Sequence, residues 1–154
     1  MLRGPYLVRL ITLAAVASIT LVACQPSAGG ASSPSSAGSV TVGSASSSLG
    51  TFLTGPNGKT LYTHAGDSMN TSTCTGGCLT AWPALTVASG QQPTAGSGVT
   101  GTLGTFSRSD GSMQVTYNGW PLYFWQKDTK PGDTTGQNVG GKWFVVPPDV
   151  ASGM

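Results

Sequence analysis

Apolar residues in this chain form one long run near the start and then many short groups. Leu10 to Ala23 is an almost unbroken apolar stretch of about fourteen residues. After a polar gap, Val, Thr, Leu and aromatic residues recur in short groups separated by Gly, Pro, Asn and Asp. No window sustains the 3.6-residue period of an amphipathic helix, and β-branched and aromatic side chains suit a pleated surface. The pattern predicts strands at Ser39–Val42, Thr51–Thr54, Lys59–His64, Gly101–Phe106, Met113–Tyr117, Trp120–Trp125 and Trp143–Val146. Asn57-Gly58, Asp110-Gly111 and Asn118-Gly119 lie between such groups and suit tight turns with positive φ. The best hairpin joins Val115–Tyr117 to Trp120–Trp125 through Asn118-Gly119. Strand alternation puts Trp120, Leu122 and Phe124 on one face and Tyr123 and Trp125 on the other. Both faces are apolar, which reads as a central strand whose aromatics each contribute about 1.5–3 kcal/mol on burial.

That segment has an earlier echo. Asn57 to Asp67 and Asn118 to Asp128 align without a gap, matching at Asn-Gly, Leu-Tyr and Asp. The register continues through Thr73/Thr134 to Trp82/Trp143, seven identities in 26 positions. Leu49-Gly50-Thr51-Phe52 recurs as Leu103-Gly104-Thr105-Phe106 at an offset of 54, which leaves the second copy an apparent extra hairpin arm over Arg108–Tyr117. One unit is too small to bury its own apolar face, whereas two around a pseudo-two-fold axis share one core. The expected fold is all-β: a compact domain over residues 40–154, with units at about 49–86 and 103–149.

The early apolar run changes the picture of charge and location. With Arg3 and Arg9 before it and small residues at its end, it reads as an export signal over residues 1–23. Leu21-Val22-Ala23-Cys24 resembles the lipobox of bacterial lipoproteins, which implies lipid on Cys24 and a membrane anchor. After Cys24 and Gln25, the rest of residues 24–39 are all Ser, Ala, Gly and Pro with few apolar side chains, the composition of a flexible tether. Beyond the leader, Lys59, Arg108, Lys127, Lys130 and Lys142 balance Asp67, Asp110, Asp128, Asp133 and Asp149, so the formal +2 belongs to the signal. No basic cluster is present to attract nucleic acid.

Candidate chemistry is sparse. An Asp closing each copy of the Tyr-x-x-x-x-Asp segment, Asp67 and Asp128, suits a side chain that ties the following turn. Its duplication favours a structural role. Cys74 and Cys78 are the only thiols besides Cys24, and export makes an oxidised pair the default, with a redox-active pair or soft metal ligands as alternatives. His64 fills the slot that Trp125 holds in the other copy. It reads as a ring at an aromatic packing position, or, with Met69, Cys74 and Cys78, as part of a Cu(I) donor set. One His and scattered Asp leave little for general acid–base work, and no nucleophile elbow or phosphate loop occurs, so no enzyme is expected.

Tyr123-Phe-Trp-Gln-Lys-Asp128, Tyr62-Thr-His-Ala-Gly-Asp67 and the Cys74…Cys78…Trp82-Pro83 run resemble the bacterial lipoproteins known as the secreted repeat of unknown function. That family is described by a Tyr-x-[Phe/Trp/Tyr]-x-x-Asp motif, from which His64 departs. The resemblance spans about residues 49 to 149 and implies secretion, lipid anchoring and tandem repeats, with no established activity. The resulting expectation is a lipid-anchored envelope protein, a non-catalytic binding or structural module. Its contact surface is expected in the aromatic and polar Gly/Thr loops around Tyr117–Trp125 and Asp128–Gly141, with Tyr117, Trp120 and Tyr123 as contact residues. The competing expectation is a redox or copper-handling protein.

Overall fold

The computed structural model describes residues 39–149. The expected signal, Cys24 and nearly all of the tether lie outside the described residues. In chain order the strands are β1 (Thr41–Ser47), β2 (Gly50–Thr54), β3 (Tyr62–His64), β4 (Thr86–Val87), β5 (Thr94–Ala95), β6 (Leu103–Ser107), β7 (Met113–Tyr117), β8 (Trp120–Pro121) and β9 (Trp143–Val145). A short helix, α1 (Gly77–Ala81), stands between β3 and β4. The protein is all-β in class, with this single α-helix among the described residues.

The two repeats are built to one plan. β1 and β2 form an antiparallel hairpin, and β5 runs parallel to the start of β1. β6 and β7 form the second antiparallel hairpin, with β4 and β8 along the other edge of β7. Backbone bonds then repeat from copy to copy. Leu53 N–H donates to Val146 O at 2.8 Å and Leu61 N–H to Leu53 O at 2.9 Å. Their counterparts run from Val115 N–H to Leu85 O at 2.8 Å and from Leu122 N–H to Val115 O at 3.0 Å. β3 pairs with β9 through Tyr62↔Val145, and Tyr123 bridges Ala84 in the same way. Where the copies meet, Tyr62 and Tyr123 exchange both backbone hydrogen bonds, each 2.9 Å long.

This correspondence corrects the second echo. β6 holds Leu103–Phe106, but its counterpart is β1, because β6 pairs with β7 as β1 pairs with β2. Leu49–Phe52 instead runs from the first hairpin's turn into β2. Arg108–Tyr117 is therefore not an added arm; it holds the turn and second strand of a hairpin that the first copy also has. A four-residue match among Leu, Gly, Thr and Phe arises easily in so restricted a composition, whereas hydrogen-bond register is set by the whole ladder.

Strand positions follow the hydrophobic pattern, with shifts at the ends. Met113–Tyr117 lies where the pattern places it, while β1 runs on to Ser47. The Trp120–Trp125 strand shortens to Trp120–Pro121. Leu122 N–H still reaches Val115 O at 3.0 Å, but Val115 N–H turns to Leu85 O, and Tyr123 leaves β7 to pair with Tyr62 and Ala84. The Asn-Gly turns adopt the backbone their residues favour: φ is 60° and 69° at Asn57 and Gly58, and 49° and 85° at Asn118 and Gly119.

Side-chain alternation along the two Leu-Tyr segments divides the core. Leu61 and Leu122 face one way, into an aliphatic cluster with Val42, Leu53, Leu85, Val115 and Val146. Tyr62 and Tyr123 face the other, into an aromatic cluster with Phe52, Trp82, Trp125 and Trp143. Phe124 packs on the first cluster and Trp125 lies in the second, as strand alternation requires.

Candidate functional site

The motif residues meet across the contact between the repeats. Tyr62 Oη donates to Asp128 Oδ2 at 2.6 Å, and Tyr123 Oη donates to Asp67 Oδ2 at 2.6 Å. Each tyrosine thus serves the aspartate of the other copy, not the one five residues ahead in its own. The second carboxylate oxygen ties the aspartate's own loop. Asp67 Oδ1 accepts from Thr73 N–H and Thr73 Oγ1, both at 2.8 Å. Asp128 Oδ1 accepts from Thr135 N–H at 3.0 Å and Thr135 Oγ1 at 2.6 Å. Every carboxylate oxygen therefore has a donor, as buried charge demands. The equivalent threonines are Thr73 and Thr135, so the Thr73/Thr134 alignment is one residue out of register.

Both phenols are held neutral. Burial pushes the Tyr62 hydroxyl well above its ordinary value, reinforced by its bond to Asp128 and that carboxylate's charge. Burial does the same at Tyr123, with Asp67 adding to it and the Ser72 hydroxyl opposing. A phenol held in its protonated form is a hydrogen-bond donor and not a base, and Tyr62, Tyr123, Asp67 and Asp128 are all buried. The motif forms a reciprocal clasp between repeats.

Beside the clasp runs a column of four rings. The His64 ring lies on Trp143 with centroids 4.5 Å apart, Trp143 stacks on Trp82 at 3.8 Å, and Trp82 stacks on Trp125 at 4.1 Å. Lys127 Nζ sits 5.6 Å from the far Trp125 ring. Tyr62 meets Trp82 edge-on, and Tyr123 meets Trp143 edge-on. The order His64–Trp143–Trp82–Trp125 is symmetric about its centre, since His64 matches Trp125 and Trp143 matches Trp82. His64 thus takes the aromatic slot as a stacking ring, while its Nδ1 lies 3.3 Å from Asp67 Oδ1 and 3.2 Å from Thr73 Oγ1.

Cys74 and Cys78 are joined as a disulfide. It staples the loop that leads into α1, and Trp82 N–H closes that helix on Cys78 O at 2.8 Å. With both sulfurs bonded to each other, the Cu(I) donor set of His64, Met69, Cys74 and Cys78 lacks its thiolates, and Met69 is 61% exposed. That reading requires a reduced form of the protein. One residue past Thr135, as Cys74 is one past Thr73, stands Gly136. A Cβ there would lie 2.8 Å from the Tyr62 ring and 2.9 Å from that of Trp82, so the clasp approaches the backbone too closely for any side chain.

The expected contact surface is corrected at two residues. Tyr117 and Tyr123 are 2% and 0% exposed, because one packs into the aliphatic cluster and the other into the clasp. Trp120 alone of the three is partly accessible, at the start of β8.

A feature that sequence reading passed over lies at the second hairpin's turn. A cleft of about 310 Å³ runs between the loop at Asn70–Thr75 and residues Phe106–Ser109. Arg108 lines it, yet its side chain is only 3% exposed. Arg108 Nη1 donates to Gln114 Oε1, and Nη2 donates to Cys74 O at 2.6 Å. In the sequence Arg108 is one of five scattered cations, with no neighbouring signal to single it out.

A family model described as "secreted repeat of unknown function" matches the chain twice, over residues 43–86 and 104–147. Each match holds one Tyr–Asp motif and one hairpin, and together they cover more than half of the chain. No curated protein and no solved structure matches it. Among the described residues, no helix is long and apolar enough to cross a membrane.

Proposed function

Because the chain belongs to the secreted-repeat family of unknown function, two copies in one exported chain, we propose that it acts as a non-catalytic binding or structural module of the cell envelope. In this reading lipid on Cys24 anchors it, and the segment up to about Ser39 holds the domain off the membrane. The observation that carries the reading is the clasp. The ionisable groups of the motif spend their hydrogen bonds on one another and on their own loops at Thr73 and Thr135, inside the core. A motif used that way makes a rigid scaffold and leaves recognition to the polar loops around it, the usual place for binding residues.

The test uses the full chain, exported from a bacterial host. Saturable retention on isolated envelope polysaccharide, with the polysaccharide's size distribution unchanged, is the expected result. Release of shorter fragments would make the protein an enzyme and end the non-catalytic reading. Anchoring has its own readout: labelled palmitate should enter the protein and vanish in Cys24→Ser, which should leave the membrane fraction. Equal membrane association of the variant would refute lipidation at Cys24.

A further inference from the structure

We infer that the cleft beside Arg108 is a binding site for a small hydroxylated carboxylate of the uronic-acid class. The inference rests on the binding-module reading and gives it a place and a ligand chemistry.

The first ground is the state of the guanidinium. Arg108 is buried, and a buried cation needs compensation. It has two carbonyl-type acceptors, Gln114 Oε1 and Cys74 O. Its Nε–H has no hydrogen-bond partner among the described residues. The one carboxylate near it is Asp110, whose Oδ2 stands 3.5 Å from Nε: an ion pair, but long for a hydrogen bond and on a side chain that is 51% exposed and so screened by water. The guanidinium is thus incompletely satisfied and sits just beneath the wall of an open cleft that Arg108 lines, with Nε covered by that wall, so a ligand reaches it by a small shift of the side chains above it. Planar guanidinium groups match carboxylates, which accept two parallel N–H bonds.

The second ground is the rest of the wall. Thr71, Ser72, Thr75, Ser107 and Ser109 line the cleft with hydroxyl-bearing side chains, and Phe106 supplies an apolar surface. Hydroxyls on one side and a ring on another suit a ligand with its own hydroxyls and a C–H face. A volume of about 310 Å³ sits at the small end of ligand pockets, room for one sugar-sized molecule.

The third ground is preorganisation. Arg108 N–H donates to Ser112 O at 2.9 Å, and Asp110 Oδ1 accepts from Ser112 N–H at 2.9 Å and Ser112 Oγ at 2.6 Å, so the turn carrying the cation is tied at both ends. Behind the opposite wall, Cys74 O accepts from the guanidinium and Cys74 is itself tied by the disulfide to Cys78. Ser72 Oγ lies 2.6 Å from Tyr123 Oη, which couples the cleft to the clasp. A site held this way loses little freedom on binding.

The test is calorimetric titration of the exported full chain with glucuronate and, as the neutral control, glucose. Glucuronate should bind with millimolar affinity, at least about tenfold more tightly than glucose, and should shift the amide resonances of Thr75 and Ser109. Arg108→Gln should abolish the preference. Because Arg108 also braces Cys74 and Gln114, that variant risks unfolding, so Asp110→Asn carries the decision. Asn keeps the Oδ1 acceptor for Ser112 and removes the competing negative charge, so glucuronate should bind several-fold more tightly with the fold intact. Unchanged or weaker binding in Asp110→Asn, equal binding of the two sugars, or no binding of either would overturn the assignment. Saturable retention on polysaccharide would survive any of those results, so the site can fail while the module reading stands. Glucuronate binding without any retention would fail the module reading alone.

Discussion

Removing one hydroxyl from the clasp should cost a large fraction of the domain's stability. In Tyr123→Phe the ring keeps its place, edge-on to Trp143, and only Oη is lost. Asp67 Oδ2 then has no donor, while Oδ1 keeps Thr73. Asp67 is 7% exposed, so water replaces the hydroxyl poorly. A hydrogen bond to a charged group contributes about 1.5–3 kcal/mol, and orphaning a buried acceptor adds to its loss, so the expected cost is about 2–4 kcal/mol. Urea unfolding followed by tryptophan fluorescence measures it, with the column of Trp82, Trp125 and Trp143 as the probe. The pairing is tested by double-mutant cycles. Tyr123→Phe should couple to Asp67→Asn by more than about 1 kcal/mol, and far less to Asp128→Asn, although Asp128 is the aspartate of its own motif. Stronger coupling to Asp128, or a cost for Tyr123→Phe below about 0.5 kcal/mol, would refute the crossed clasp.

Three further outcomes follow from the same geometry. Tyr62 and Tyr123 have folded-state values above their unfolded value, so the stability they contribute is complete below about pH 10 and is lost as pH rises from there toward the folded values; tyrosinate absorbance of both should appear together with unfolding, and their free titration in the folded domain would contradict the burial argument. Gly136→Ala forces a methyl against the Tyr62 and Trp82 rings and should cost about 1–3 kcal/mol by overpacking, read as a lowered thermal midpoint. Replacing both Cys74 and Cys78 by Ser opens a short loop, worth about 2 kcal/mol on the chain-entropy model, and should lower the urea midpoint while the domain still folds.

Local rules carried the sequence reading a long way. The gapless match from Asn57 to Asp67 revealed the duplication because each copy must reproduce the same turn, strand and loop tie. Period-two alternation assigned Leu122 and Tyr123 to opposite faces, and both faces proved to be core. The role of Asp67 and Asp128 in tying their loops was legible, since an acceptor at that point serves the next backbone amides. Tyr123 had two readings, core of a central strand and contact residue, and its burial upholds the first; the burial of Tyr117 was not legible, because alternation says which residues share a face and not what covers it. The cleft was not either: Arg108 and Cys74 are 34 residues apart and nothing local joins them.

By itself, then, the sequence determined what neighbours along the chain enforce: a repeat, its strands, left-handed Asn-Gly turns and a pair of cysteines close enough to bridge. Tertiary structure alone decided who partners whom. Tyr62 has an aspartate five residues ahead of it and another 66 residues away, and it bonds the distant one. The reason is geometric. Tyr62 and Tyr123 pair as antiparallel neighbours where the repeats meet, so each side chain crosses that meeting line and reaches the other copy's loop. Two copies of one Tyr–Asp motif are compatible with either pairing, and only their arrangement around the shared core distinguishes them.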